Sequence, residues 1–79
     1  NRIFVHKSSL DAFLQEAKKR VAAMQAGNGF DDGVRIGPLV GPEALEKVAR
    51  QVKDALSKGA ELVIGGERLT DNGLDNGFF

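Results

Sequence analysis

The apolar positions of this chain fall into two stretches of helical period, bracketed by short continuous apolar runs. Leu10, Phe13, Leu14, Ala17, Val21 and Met24 recur mostly at spacings of three and four, which predicts a helix with one apolar face. Asp11, Gln15, Lys18 and Lys19 take the opposite face. Ser8 with Asp11 three residues later fits a capping box in its aspartate variant, and Gly27 stands where a left-handed residue past a helix end is expected. Leu45, Val48, Val52, Ala55 and Leu56 predict a second helix. Pro42 suits its first turn and Glu43 the positive end of its dipole, and Lys58-Gly59 closes it. The run Ile3-Phe4-Val5 predicts a strand covered on both faces, and Glu61 to Ile64 a short strand ended by Gly65-Gly66. Phe78-Phe79 is expected to open another strand.

Residues 28–41 form a predicted loop in which Gly29, Gly33, Gly37 and Gly41 recur every fourth position, with Asp31-Asp32 and Pro38 among them. A loop of that length and glycine content implies close backbone approach to something, or a tight path over another part of a protein. The order strand–helix–helix–strand predicts an α/β fold, a partial Rossmann-like unit with a mostly parallel sheet. Two or three strands with two helices cannot cover both faces of such a sheet. Residues 1–79 are therefore expected to be no complete domain.

Composition sharpens that expectation. A chain of 79 residues is marginal as an independent fold. With no cysteine and one histidine, neither disulfides nor a structural metal can supplement its core, which leaves a partner or the rest of a larger protein. Asn1 is no initiator, and Phe78-Phe79 is an unusual pair to leave at a terminus, so both ends look cut. Eleven basic and eleven acidic side chains give zero net charge, which argues against nucleic acid or an anionic membrane as partner. Lys18-Lys19-Arg20 lies in the second half of the first helix, where the dipole favours cations, and reads as a solvated face. There is no apolar run of spanning length and no signal peptide. Cytoplasmic residence is expected, consistent with the absence of cysteine.

Candidate chemistry is sparse. His6 has no cysteine to pair with and reads as structural, and Ser8 and Ser9 read as caps with nothing nearby to activate them. Asp31-Asp32 lacks the alternating ligands of a calcium loop, and one histidine makes no zinc site. The glycine-rich stretch follows a helix instead of a strand, and Gly27-Asn28-Gly29-Phe30-Asp31-Asp32 ends in carboxylates that would repel a pyrophosphate. Lys47 has an ordinary explanation as an i,i+4 partner of Glu43 on an exposed helix face. No catalytic or metal-binding residue is expected in the chain.

The particular residues say more than the pattern. Asn1-Arg2-Ile3-Phe4-Val5, Phe13, Gly27-Asn28-Gly29-Phe30-Asp31, Ile36-Gly37-Pro38-Leu39, Lys47-Val48, Gly59-Ala60, Gly65-Gly66 and Asn76-Gly77-Phe78-Phe79 occur in that order. The set closely resembles the aldehyde dehydrogenase superfamily just after its catalytic cysteine, over essentially the whole chain. The opening Asn1-Arg2 with Ile36-Gly37-Pro38-Leu39 looks most like the succinate-semialdehyde dehydrogenase branch. The resemblance implies an enzyme that attacks an aldehyde with a cysteine thiolate, passes hydride to NAD or NADP and hydrolyses the thioester. It also implies that the cysteine, the oxyanion asparagine and the general-base glutamate belong to sequence preceding Asn1, leaving the segment itself inactive.

One family contact carries over: Lys47 matches a helix lysine that reaches toward the nicotinamide ribose. Its companion position, often glutamine, is Ala44 here, so that hydrogen bond is missing. Arg2 is expected to help anchor the cysteine loop. The implied partners are a small-molecule aldehyde, the remainder of the parent chain and further copies of it in a homo-oligomer. A non-catalytic protein-interaction module using exposed strand edges stays open as the alternative. A cysteine encoded shortly before Asn1 separates the two.

Overall fold

A computed structural model describes residues 2–79, so the expectations resting on Asn1 fall outside the described residues. Helix α1 spans Leu10–Ala22 and is entered through a 3-10 turn, Lys7–Ser9. That turn displaces the expected capping box. Ser9 becomes the cap residue without a side-chain bond, while Ser8 lies inside the turn, donating its N–H to His6 Nδ1 at 3.2 Å. At the other end, Ala23 N–H bonds the Arg20 carbonyl and Met24 N–H the Val21 carbonyl, tightening the last turn. The helix has thus ended before Gly27 is reached, and Gly27 is no left-handed cap.

Gly27 instead follows strand β1, Gln25–Ala26, which pairs in parallel with β2, Val34–Ile36. The register is Gln25 to Val34 and Ala26 to Ile36, with an irregularity between them. Gly27 N–H extends the ladder to the Ile36 carbonyl at 2.9 Å. The sheet is parallel as expected, but it lies within and beside the stretch predicted as a loop. The runs predicted as strands, Ile3–Val5 and Leu62–Ile64, are not strands among the described residues. A strand needs a neighbour to take its N–H and C=O groups, and this chain brings none alongside them. Phe4 is 93% exposed.

Helix α2, Pro42–Ser57, forms as its sequence predicts. Pro42 stands in its first turn, the Gly41 carbonyl accepts from Ala44 and Leu45 N–H, and Gly59 takes the left-handed φ of 91° just past Lys58. Its apolar stripe meets the segment before Gly66: a Cβ at Gly66 would lie 2.8 Å from Leu62 Cδ1 and 3.6 Å from Val52 Cγ1.

The expected burial of the helix faces is not reached. Phe13, Val48 and Leu56 are exposed, Leu14, Leu45 and Val52 half-buried, and no hydrophobic side chain is fully buried among the described residues. Phe78-Phe79 opens no strand either. The Phe78 carbonyl accepts from Leu39 N–H at 2.8 Å and the Phe79 carbonyl from Leu69 N–H at 3.1 Å, so the tail bridges two loops. It is reached through 3-10 turns over Asp71–Asn76, broken at Asn72 and Gly73, whose φ values are 56° and 82°. Arg68 Nη2 donates to the Asp75 and Gly77 carbonyls at 3.0 and 3.1 Å.

The dimensions fit an open assembly of elements. The radius of gyration is 14.4 Å, against about 12 Å for a compact domain of this length. Accessible surface is 7090 Å², where a folded monomer of this size exposes about 4,700 Å². No described helix is long and apolar enough to cross a membrane.

Candidate functional site

Lys47 sits on the second turn of α2, where the helix's apolar stripe turns the opposite way. Its exposed neighbours at helical spacing are Glu43 and Arg50, and with Ala44 and Glu46 they outline a shallow depression of about 470 Å³. Two carboxylates and two cations leave this patch without net charge. The expected Glu43–Lys47 pair is not made: the ion pairs among the described residues are Arg20–Glu16 at 2.9 Å and Lys58–Asp54 at 2.7 Å. A solvated i,i+4 pair is worth only about 0.3–0.5 kcal/mol, so such a pair forms at some positions, as at Lys58–Asp54, and not at others. The Lys47 ammonium therefore keeps its three donors for another acceptor, and Ala44, half-buried beside it, adds no polar atom.

Two further concavities flank the tail. A cleft of about 720 Å³ lies between the β1–β2 region and residues 72–79, with Asn28, Asn72, Asn76 and Asp31 on its walls. Its lining holds no cysteine, serine or histidine. Asp31 on its wall repels a phosphate, in keeping with the sequence reading of the glycine-rich stretch. The other is an apolar groove of about 430 Å³ between α2 and Gly66–Arg68, reached by Leu39 and Phe79.

His6 corrects one expectation, since it lies within hydrogen-bond reach of Ser8: Nδ1 is 2.8 Å from the Ser8 hydroxyl oxygen. The sequence signal was the i,i+2 spacing at a helix start. The pair is still a turn-forming device. Nδ1 already accepts the Ser8 N–H, the contact is exposed, and among the described residues no acidic side chain bonds the imidazole. Among the described residues no group of three or more histidine, cysteine or acidic side chains converges as a metal site.

The fold and the exposed Lys47 on α2 can be set beside known proteins. Residues 1–79 match the aldehyde dehydrogenase family along their whole length. The chain belongs to that family. It is 48% identical over 68 residues to a non-phosphorylating aspartate-semialdehyde dehydrogenase of Halomonas elongata, covering 86% of this chain and 14% of that protein. Identity to succinate-semialdehyde dehydrogenase [NADP(+)] 2 of Schizosaccharomyces pombe is 35% over 72 residues, 91% of this chain and 15% of that protein. Among solved structures, a betaine aldehyde dehydrogenase of Staphylococcus aureus in complex with NAD+ superposes with a TM-score of 0.90 at 33% identity, over 95% of this chain and 15% of that one. The chain thus spans about one seventh of the length of the relatives it matches. Its α/β architecture is that of a piece of these enzymes.

Proposed function

We propose that residues 1–79 are a segment of the catalytic domain of an NAD(P)-dependent aldehyde dehydrogenase that oxidises a short carboxylate-bearing semialdehyde, succinate semialdehyde above all, to the acid. The observation that carries this reading is the backbone match, at a TM-score of 0.90 over 95% of the chain, to an aldehyde dehydrogenase solved with NAD+. The relatives named for succinate and aspartate semialdehyde support a substrate with an aldehyde at one end and a carboxylate at the other. The motif pair Asn1-Arg2 and Ile36-Gly37-Pro38-Leu39 favours the succinate branch. The segment by itself is inactive on this reading, because it holds neither nucleophile nor oxyanion hole.

Its own contribution is positional. Lys47 fits a ribose: it is exposed, outside the ion pairs among the described residues, and beside an open depression. A hydrogen bond from its ammonium to a ribose hydroxyl would hold the nicotinamide end of the cofactor still. NAD(P), when bound, supplies the hydride acceptor. Because Ala44 offers no second bond, local orientation falls on Lys47. Restricting that end matters because a small misplacement of reacting atoms is costly in rate.

The test is made on the full-length protein, assayed with succinate semialdehyde and with NAD or NADP by the absorbance of reduced nicotinamide. Turnover is expected, and none with any short semialdehyde would refute the proposed activity. A charge-assisted bond contributes about 1.5–3 kcal/mol, so Lys47→Met should lower kcat/KM for the cofactor at least about tenfold. Its Tm should barely move, since the side chain is solvated. Cofactor kinetics within about twofold of the unmutated enzyme would leave Lys47 a surface lysine.

A further inference from the structure

Glu43 and Lys47 stand one helical turn apart on the polar face of α2 and line the same depression. Side chains at that spacing are neighbours, with Cβ atoms about 5–6 Å apart. The ion pairs among the described residues include neither of them. A cationic donor and an anionic acceptor are thus held side by side without bonding each other. Bringing them together would gain little, since an exposed pair at this spacing is weak and immobilises two long side chains.

What fits between them is a group that accepts from one and donates to the other. A phosphodiester has no proton to give Glu43 and is repelled by it. An ammonium group is repelled by Lys47. A vicinal diol meets both demands: one hydroxyl oxygen accepts from the Lys47 ammonium, and the neighbouring hydroxyl donates to the Glu43 carboxylate. The cis hydroxyls of a ribose are such a pair.

The reading of Lys47 as a ribose contact leaves a gap at this point. A single bond leaves the sugar free to turn about it, and Ala44 has no polar atom to supply a second. Glu43 adjoins Ala44 in the first turn of α2. Glu46 precedes Lys47 by one residue and so points about 100° round the helix from it. Arg50 lies on the far side of Lys47 from Ala44 and can only donate. Of the polar side chains lining the depression, Glu43 joins an acceptor to the side of Lys47 that Ala44 marks.

We propose that Glu43 is a second cofactor-binding residue of the parent enzyme, accepting a hydrogen bond from the nicotinamide ribose diol whose other hydroxyl Lys47 holds. The inference rests on the proposed ribose contact of Lys47. That contact itself requires this part of α2 to face the cofactor in the full-length protein, and the spacing of the two residues is set within the helix.

The experiment measures equilibrium binding to the full-length protein by calorimetry, without aldehyde. It uses NAD or NADP, whichever binds more tightly, and the same nucleotide cut back to its adenosine diphosphate half, which has no nicotinamide ribose. Glu43→Ala should weaken the dinucleotide at least about tenfold, and Glu43→Gln, which keeps an acceptor without the charge, by only about two- to fivefold. The truncated nucleotide should bind every variant within about twofold, which a misfolded variant would not allow. Because both residues hold one sugar, Lys47→Met should cost less on top of Glu43→Ala than it does alone. If Lys47→Met weakens the dinucleotide and Glu43→Ala does not, the role of Glu43 is overturned and the Lys47 contact stands. If neither does, both are overturned. Equal weakening of both nucleotides by Glu43→Ala would also overturn the proposal, since the loss would not come from the sugar.

Discussion

Gly27 is the one buried residue among those described, and its role was hidden at the level of sequence. Near the end of an apolar helical pattern, a glycine reads as a cap. What fixes it is a contact from further along the chain: a Cβ at Gly27 would stand 3.0 Å from Val34 Cγ2, while its N–H is committed to Ile36. Val34 is β-branched and cannot easily rotate away. Gly27→Ala should therefore destabilise the full-length protein by about 1–3 kcal/mol, the usual cost of overpacking. Adding Val34→Ala should recover part of that loss in urea unfolding. A Gly27→Ala protein as stable as the original would show that the contact yields freely. Lys47 is the opposite case, because its place on the helix was legible while the absence of its expected pair with Glu43 was not. Whether two exposed side chains meet depends on rotamer entropy and solvent, which spacing does not encode.

Among the elements, α2 was legible at both ends because Pro42, Glu43 and Gly59 each act locally. The body of α1 was equally plain, but its ends were not, since the 3-10 turn at Lys7–Ser9 and the tight exit at Ala23 depend on details below the level of periodicity. The sheet could not be read from sequence. Gln25-Ala26 has no strand preference of its own and is ordered by its pairing with Val34–Ile36. Conversely, Ile3–Val5 and Leu62–Ile64 have strand composition and no partner. The tail owes its course to carbonyls held by Arg68, Leu39 and Leu69. Arg68→Met removes the bonds to Asp75 and Gly77 without removing the side chain's bulk. It should speed hydrogen exchange at the Leu39 and Leu69 amides by about tenfold, roughly the worth of one or two hydrogen bonds. Unchanged exchange at both amides would show that the tail is held by its phenylalanines instead.

At the scale of the whole molecule, the surface in excess of a compact fold is the informative quantity. It amounts to about 2,400 Å², comparable to an obligate interface, and it is distributed over the exposed helix stripes, the unpaired apolar runs and the groove beside Phe79. The chain spans about one seventh of its aldehyde dehydrogenase relatives, and on the proposed reading the rest of a catalytic domain supplies the missing cover. Stability should then belong to the larger protein and not to the segment. Hydrogen exchange followed by mass spectrometry, on the isolated 79-residue chain and on the full-length protein, measures this directly. The amides of α1 and α2 should be protected at least about a hundredfold more in the full-length protein than in the isolated chain. Equal, strong protection of both helices in the isolated chain at low concentration would contradict it, since such a chain would be a domain in its own right.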